Sequence, residues 1–135
     1  MFTLLFDRAS EVLFARFTGV FTAEDFTNYD TALIHFLSNK GQPFADRVRS
    51  LCDFSAIEAI AAPQSKVAEQ ASRPPIVRRL RVVVAPRNAG DDFGHTYRHH
   101  QRMAADSEPV VVPTLEAAYA LLGLANPKFE PVEQS

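Results

Sequence analysis

Residues 80–85, LRVVVA, constrain the fold of this chain more than any other stretch, because three consecutive valines favour an extended strand. A strand that is apolar at every position, and not only at alternate ones, is typical of a sheet covered on both faces. Such sheets are built from parallel strands joined by helices. This run therefore predicts a central strand in an α/β fold.

The rest of the chain alternates between strand and helix signals. Residues 2–7 and 11–17 are largely apolar stretches separated by a short turn, which predicts an N-terminal β-hairpin. Including that hairpin, the patterns follow the order β-β-α-β-α-β-α-β-α. Because alternating strands and helices build parallel sheets with right-handed crossovers, we expect a mixed, mostly parallel five-stranded sheet. Helices are expected on both faces, and the first strand is expected to be the antiparallel one.

Cap residues mark the ends of two helices. Thr22 is a good N-cap, and acidic residues follow it in the first turn, where the helix dipole favours negative charge. Gly41 predicts the C-terminal end of this helix, and Thr114 and Gly123 have the same roles in a final helix. Apolar residues at helical spacing predict the buried face of the first helix: Phe26, Tyr29, Leu33, Phe36 and Leu37.

Length and composition limit the classes of function. The 135 residues predict one domain over 1–123, followed by a flexible tail over 124–135. A net charge of −2 provides no global positive field that would recruit nucleic acid. Cys52 is the single cysteine and lies in an apolar run, so a buried, inert thiol in a reducing cytoplasm is expected. Neither a signal peptide nor a membrane span is predicted, since no apolar segment approaches about 18 residues.

The predicted sheet would gather three loops above one rim, because ligands and partners meet the carboxyl ends of parallel strands in such folds. These stretches are residues 18–22, 53–64 and 86–95. The second is expected to begin where its strand ends. The candidate binding residues on and beside this rim are Thr22, Asp53, Ser55, Arg87, His95, Arg98 and His99.

The predicted third helix has a basic stripe. Four side chains share one face because they follow the spacing i, i+3, i+4, i+7: His95, Arg98, His99 and Arg102. Two interpretations remain open, a solvated amphipathic face or an anion site beside a helix N-terminus. His95 and His99 also have the spacing of metal-binding helices. Thr96 stands where a metalloprotease helix carries Glu, and no metal is predicted.

Asp53 and Ser55 allow a catalytic interpretation, since with a histidine they would supply the residue types of a Ser/His/Asp hydrolase. The Gly-x-Ser-x-Gly motif is missing, and both side chains more simply bond to backbone N–H groups at a turn. An enzyme that uses His95 or His99 is a further alternative. We expect a protein that is not an enzyme and has no cofactor.

Three stretches, taken in order, resemble the STAS domain, and more closely the small bacterial STAS-like proteins related to anti-sigma factor antagonists. FARFTGVFTAEDF, residues 14–26, is similar to the strand, glycine and acidic helix start of that family. SLCDFSAIEAI, residues 50–60, is similar to the strand that ends in Asp, an apolar residue and Ser. The third stretch, from DDFGHTYRHH at residues 91–100 to VVVPTLEAAYALLG at residues 110–123, resembles the last two helices of the STAS-like branch.

The resemblance also shows what this chain lacks. In anti-sigma factor antagonists, the Asp-apolar-Ser strand is followed by a hydrophobic residue and by Asp-Ser-Ser-Gly, in which one serine accepts phosphate. Asp53, Ser55 and Ile60 match this pattern, but residues 61–64 are Ala, Ala, Pro and Gln. The resemblance therefore implies a regulatory or protein-binding module of the bacterial cytoplasm that lacks the usual phosphoacceptor serine.

The partner is expected to be a protein or a small ligand, and not nucleic acid. As an alternative to protein binding, the chain could carry or sense a small anionic or amphipathic ligand between the Phe-rich first helix and the basic third helix. Residues 2–7 are expected to form an exposed edge strand, which could supply a homodimer contact.

Overall fold

The N-terminal hairpin and the two capped helices begin and end close to the turn and cap residues described above. The computed structural model describes residues 1–61, 76–77, 79–85 and 109–132. The strands in these ranges are β1 (Phe2–Asp7), β2 (Val12–Phe21), β3 (Arg49–Ile60), β4 (Arg81–Val84), β5 (Val110–Val112) and β6 (Glu130–Pro131). The helices are α1 (Ala23–Lys40), α2 (Gln42–Ala45) and α3 (Leu115–Leu122). The second and third helices of the predicted order, over residues 63–72 and 93–107, lie outside the described residues.

The six strands form one mixed sheet in the order β5-β4-β3-β2-β1-β6. Neighbouring strands from β2 to β5 are parallel, whereas β1 is antiparallel to both β2 and β6. The predicted α/β class and N-terminal hairpin are confirmed, but the predicted count of five strands is wrong. The sixth strand comes from the segment assigned to a flexible tail, where the Val132 N–H donates to the Leu4 carbonyl at 2.9 Å.

Side chains on the two faces of the sheet enter separate apolar clusters. On β2, Leu13, Ala15 and Phe17 lie in the cluster beneath α1, so we call this the α1 face. Val12 and Phe14 point the other way and join Ala118 and Leu122 of α3, on the α3 face. The described helices therefore cover both faces, as the sequence predicts.

The α1 face is packed by aromatic rings. Phe17 is 1% exposed and stacks on Phe54, with 4.6 Å between ring centroids. Phe21 meets the Phe54 ring edge-on at 5.3 Å, and Tyr29 of α1 meets Phe17 in the same way at 5.5 Å. Each buried ring contributes about 1.5–3 kcal/mol through the water it loses. This layer fixes α1 against β2 and β3.

The start of α1 is a capping box. The Thr22 hydroxyl accepts the backbone N–H of Asp25, and the Asp25 carboxylate accepts the Thr22 N–H at 2.9 Å. The ammonium of Met1 lies 3.1 Å from the same carboxylate. Burial alone would raise the pKa of Asp25, but the bonds from Thr22 and the Met1 ammonium outweigh it and lower the pKa below its ordinary value. The predicted buried face of α1 is confirmed, with Tyr29 half-buried.

Replacing Thr22 by alanine removes this cap, so we expect the free energy of unfolding to fall by about 1 kcal/mol. Urea unfolding followed by circular dichroism measures the change. Thr27→Ala is the matched control, since Thr27 is exposed inside α1 and alanine favours the helix there. Equal losses from the two variants would show that the cap is not what stabilises α1.

The third strand is longer than predicted. It does not end at Asp53 and Ser55 but runs on to Ile60, parallel to β2. Its register shifts twice, so residues 54–55 stand opposite Phe17 and one further residue is inserted before Ala59. These two bulges disrupt the period-two alternation that marks a strand in a sequence. The prediction of a strand end at Asp53 is therefore wrong.

Strands β2 and β3 continue past the end of β4. The last pair between β3 and β4 joins Asp53 to Val84, while β2 and β3 remain paired as far as Phe21 and Ile60. We call residues 18–21 and 54–60 the sheet extension. No described helix is long and apolar enough to cross a membrane.

Candidate functional site

A polar cluster lies on the α3 face at the level where β4 ends. Arg16 and Asp53 are opposite one another on β2 and β3, and the Arg16 Nε lies 3.6 Å from the Asp53 Oδ2. Asp53 is buried, at 3% exposure, whereas 47% of the Arg16 side chain is exposed. The parallel register thus joins a buried carboxylate to a guanidinium that reaches solvent.

Ser55 completes the environment of the Asp53 carboxylate. Oδ1 of Asp53 accepts both the Ser55 N–H, at 2.9 Å, and the Ser55 hydroxyl, at 2.6 Å. A bulge takes residues out of the regular ladder, and a short acidic side chain can satisfy a backbone N–H two residues along. Asp53 therefore stabilises the bulge, which agrees with the predicted bonding of such residues to backbone groups.

Aromatic rings form the floor beside Arg16. The guanidinium carbon lies 5.3 Å from the centre of the Phe14 ring, which in turn packs on Phe129 at 4.8 Å. Phe129 also contacts Tyr119 of α3 at 6.2 Å. Burial raises the pKa of Tyr119; the positive charge of Arg16 lowers it and the negative charge of Asp53 raises it further. The phenol therefore lies within the electrostatic field of both charges. Arg16, Asp53, Ser55 and Tyr119 are called the Arg16 cluster below.

The arrangement suits binding and positioning better than nucleophilic catalysis. Ser55 donates its hydroxyl hydrogen to a carboxylate, whereas an activated serine needs an imidazole to take its proton. Of the histidines, only His35 lies in the described ranges, on α1, with its Nε2 3.3 Å from the Asn39 side-chain nitrogen. Within those ranges there is no Ser–His–Asp arrangement, and no group of three potential metal ligands.

The predicted site residues separate into three groups. Asp53 and Ser55 lie together in the cluster. Thr22 lies beyond the far end of the sheet extension, about 20 Å along the strand from Arg16 at roughly 3.3 Å per residue, and serves as a helix cap. Four further candidates lie outside the described residues: Arg87, His95, Arg98 and His99.

The predicted rim can be compared with the structure for two of its three loops. Residues 18–22 and 56–61 run side by side, and the Ala61 N–H donates to the Phe21 carbonyl at 2.7 Å. Phe54 does not belong to a loop, since it lies inside β3 with its ring buried in the α1 face. The loop over 86–95 falls among the residues that the structure leaves undescribed.

Sequence reasoning missed Arg16 and Tyr119. Arg16 is the one charged residue inside the apolar run VLFARF, and Asp53 is the one charged residue in SLCDF. Two strands that are parallel neighbours and each carry one charge of opposite sign could have indicated an ion pair. Tyr119 is half-buried on α3, and nothing in the adjacent sequence marks its proximity to Arg16.

Cys52 lies on the opposite, α1 face of β3. Its sulfur is 3.1 Å from the hydroxyl oxygen of Tyr29. Burial raises the pKa of the Cys52 thiol to about 11, although the contact with Tyr29 works in the opposite direction. The thiol is therefore protonated at neutral pH and a poor nucleophile, in agreement with the inert cysteine expected from the sequence.

In comparisons with known proteins, the chain matches no protein-family model and no curated protein sequence. The structure itself establishes the α/β class and the mixed six-stranded sheet.

Proposed function

We propose that this chain is a STAS-like, non-enzymatic binding module with a regulatory role, which recognises a protein partner through the α3 face of its sheet extension. The supporting observation is that no described helix covers this face, whose side chains are exposed. Thr18 and Ala56 are opposite one another there, as are Val20 and Ala59, and all four are exposed. Val20 is 48% exposed although it lies inside a strand.

The open face follows from the unequal lengths of helix and strand. α3 has 8 residues, about 12 Å at 1.5 Å per residue, and its buried side chains lie in the apolar cluster that ends on the sheet at Val84, the partner of Asp53. The ten residues of β2 extend about 33 Å at 3.3 Å per residue. Beyond the cluster, the two-stranded surface carries small and aliphatic side chains together with the exposed Glu58, a mixture that fits a protein surface better than a small molecule.

The regulatory part of this proposal does not use phosphate at the usual position. Ala61 follows β3 directly, where the family resemblance would place the first residue of Asp-Ser-Ser-Gly. The half-buried hydroxyl of Ser55 already donates to Asp53. In our proposal the partner therefore recognises the extension itself and not a phosphorylated serine.

A carrier or sensor of a small ligand is the second candidate. The space between α1 and the sheet is filled by Phe17, Phe21, Phe26 and Phe54, so an amphipathic ligand would have to displace packed rings there. What favours this candidate is the half-exposed guanidinium of Arg16, which offers donors to an anionic group.

Site-specific photo-crosslinking tests the partner proposal in cells that express the full chain. With a benzophenone amino acid at position 20, we expect a discrete covalent adduct with one protein. The same group at position 34 is the control, because Ile34 is comparably exposed, at 54%, but lies on α1. Adducts of the same pattern from both positions, or none from position 20, would overturn the proposal.

A substitution then measures how much the α3 face of the sheet extension contributes to binding of the partner. Val20→Glu places a charge at the centre of the extension, and we expect the adduct formed from a benzophenone at position 18 to fall by about tenfold or more. Ile34→Glu is expected to leave that adduct unchanged. Circular dichroism of both variants confirms that the fold is retained.

A further inference from the structure

We infer that the Arg16 cluster binds one carboxylate group, held by the two terminal nitrogens of Arg16. This inference deepens the proposed binding function, on which it rests, by naming the chemistry that the protein recognises next to the sheet extension. It is carried by the juxtaposition of a half-exposed guanidinium, a buried carboxylate and an aromatic floor.

The guanidinium has donors to offer. Its Nε faces the Oδ2 of Asp53, at 3.6 Å. Among the described residues, the terminal nitrogens of Arg16 donate no hydrogen bond. A planar guanidinium presents its remaining N–H groups in a fixed fork, whose geometry matches the two oxygens of a carboxylate.

The fork is held in position before any ligand arrives. The Phe14 ring lies beneath the guanidinium and Asp53 restrains it from one side, while Asp53 is itself fixed by two bonds from Ser55. A side chain that is ordered in advance loses less conformational entropy on binding. An arginine held only by solvent would not have this advantage.

Asp53 also selects the charge of the ligand. With Arg16 it forms a neutral pair, so an incoming anion is attracted by the near guanidinium and repelled by the carboxylate behind it. The net attraction to such a pair is weak and grows only in proportion to the charge of the ligand, whereas the cost of desolvating the ligand grows with the square of that charge, which penalises a dianion such as a phosphate monoester. The cluster therefore favours a carboxylate over a phosphate group.

The phenol of Tyr119 and the ring of Phe129 extend the site on the side of α3. Tyr119 is half-buried, and its hydroxyl forms no hydrogen bond with the part of the chain that the structure describes. The carboxylate can come from a free organic acid or from a side chain or C-terminus of a protein. Both present the same two oxygens to Arg16.

Titration of the full-length protein with benzoate tests the site, followed by ¹H–¹⁵N correlation spectra. We expect saturable shifts at residues around Arg16 and Tyr119, and a response to inorganic phosphate that is about tenfold weaker. Arg16→Gln is expected to weaken benzoate binding at least about tenfold, and Arg16→Lys by less, since it retains the charge but not the fork. No saturation with benzoate, or equal binding to Arg16→Gln, would overturn the inference.

Arg47→Gln is the matched control, because Arg47 is 53% exposed and pairs with Glu11 away from the cluster. Its benzoate affinity is expected to equal that of the unmodified protein. A short peptide with a free C-terminal carboxylate, compared with its amidated form, separates a protein source from a free acid. If benzoate fails to bind while the adduct at position 20 persists, the carboxylate inference falls and the partner proposal stands.

Discussion

Replacing Phe17 by alanine is expected to lower the free energy of unfolding by about 3–5 kcal/mol, the range for removing a fully buried phenylalanine. Phe17 is 1% exposed, and its ring contacts Phe54 by stacking and Phe21 and Tyr29 by their edges. The substitution leaves a cavity between α1 and the sheet and removes four aromatic contacts at once, since Phe17 also meets the Phe2 ring at 5.7 Å. Chemical denaturation followed by fluorescence of tyrosine and by circular dichroism measures the loss.

Two further variants separate packing from simple loss of apolar area. Phe17→Leu retains much of the volume, so we expect less than half of the loss seen with alanine; it also keeps the measurement possible if Phe17→Ala does not fold. Phe129→Ala removes a half-buried ring from the α3 face and is expected to be milder than Phe17→Ala. A loss below about 1 kcal/mol for Phe17→Ala would show that the aromatic layer is not tightly packed.

Replacing Asp7 by asparagine is expected to reduce the free energy of unfolding by about 2–3 kcal/mol at neutral pH, since hydrogen bonds to a charged group are worth roughly 1.5–3 kcal/mol. Asp7 is buried at the end of β1. One of its carboxylate oxygens accepts the N–H and the hydroxyl of Ser10, and the other accepts the Lys128 N–H at 3.3 Å. The variant therefore weakens the hairpin turn and the attachment of β6 together.

The effect of Asp7 depends on pH in a defined direction. Burial would raise the pKa of Asp7, but the bonds from Ser10 and Lys128 outweigh it and lower the pKa below its ordinary value of 3.8. A lowered pKa in the folded state stabilises the protein fully above 3.8, and this contribution disappears as the pH falls through the folded value. The difference between the unmodified protein and Asp7→Asn should therefore be constant from pH 7 to about pH 5 and shrink below about pH 4.

Glu130→Gln serves as the control for this experiment, because Glu130 lies in the same terminal segment but is exposed. We expect a change of less than about 0.5 kcal/mol, as for most surface substitutions. If the stability difference for Asp7→Asn did not change in acid, the charge of Asp7 would not be what holds the segment.

Elements with strong local signals could be predicted from the sequence. Thr22 and Thr114 are caps where their neighbours predict them, and Gly123 ends α3 in the left-handed conformation at φ 72°. The valine run of β4 lies between two parallel strands with Val82 and Val83 on opposite faces. In each case a few adjacent residues carry the whole signal.

Features that depend on distant pairing could not be predicted. The bulges of β3 remove the alternation beyond Asp53, so a strand that continues to Ile60 resembles a turn in sequence. Arg16 and Asp53 are separated by α1 along the chain, and only the parallel register brings them together. For the same reason the sequence indicates the Asp53–Ser55 half of the candidate site but not the guanidinium that faces solvent.

The edge strand β6 could not be predicted because it has only two residues. One of them is Pro131, which has no N–H to donate. No apolar alternation marks such a short segment. It pairs with Leu5 and Phe6 only because β1 presents an unpaired edge and the Asp7 carboxylate holds residue 128 beside it.

The pairing of β6 with β1 also has a consequence for how the chain is made. The two strands are separated by more than a hundred residues, so the edge of β1 at Leu5 and Phe6 has no β6 to cover it until residue 132 has left the ribosome. At about 5–20 residues per second, that interval lasts for several seconds or more. Throughout it, nascent copies on one messenger RNA expose identical unpaired edges to each other, so we expect slow translation or a shortage of chaperones to lower the yield of folded protein.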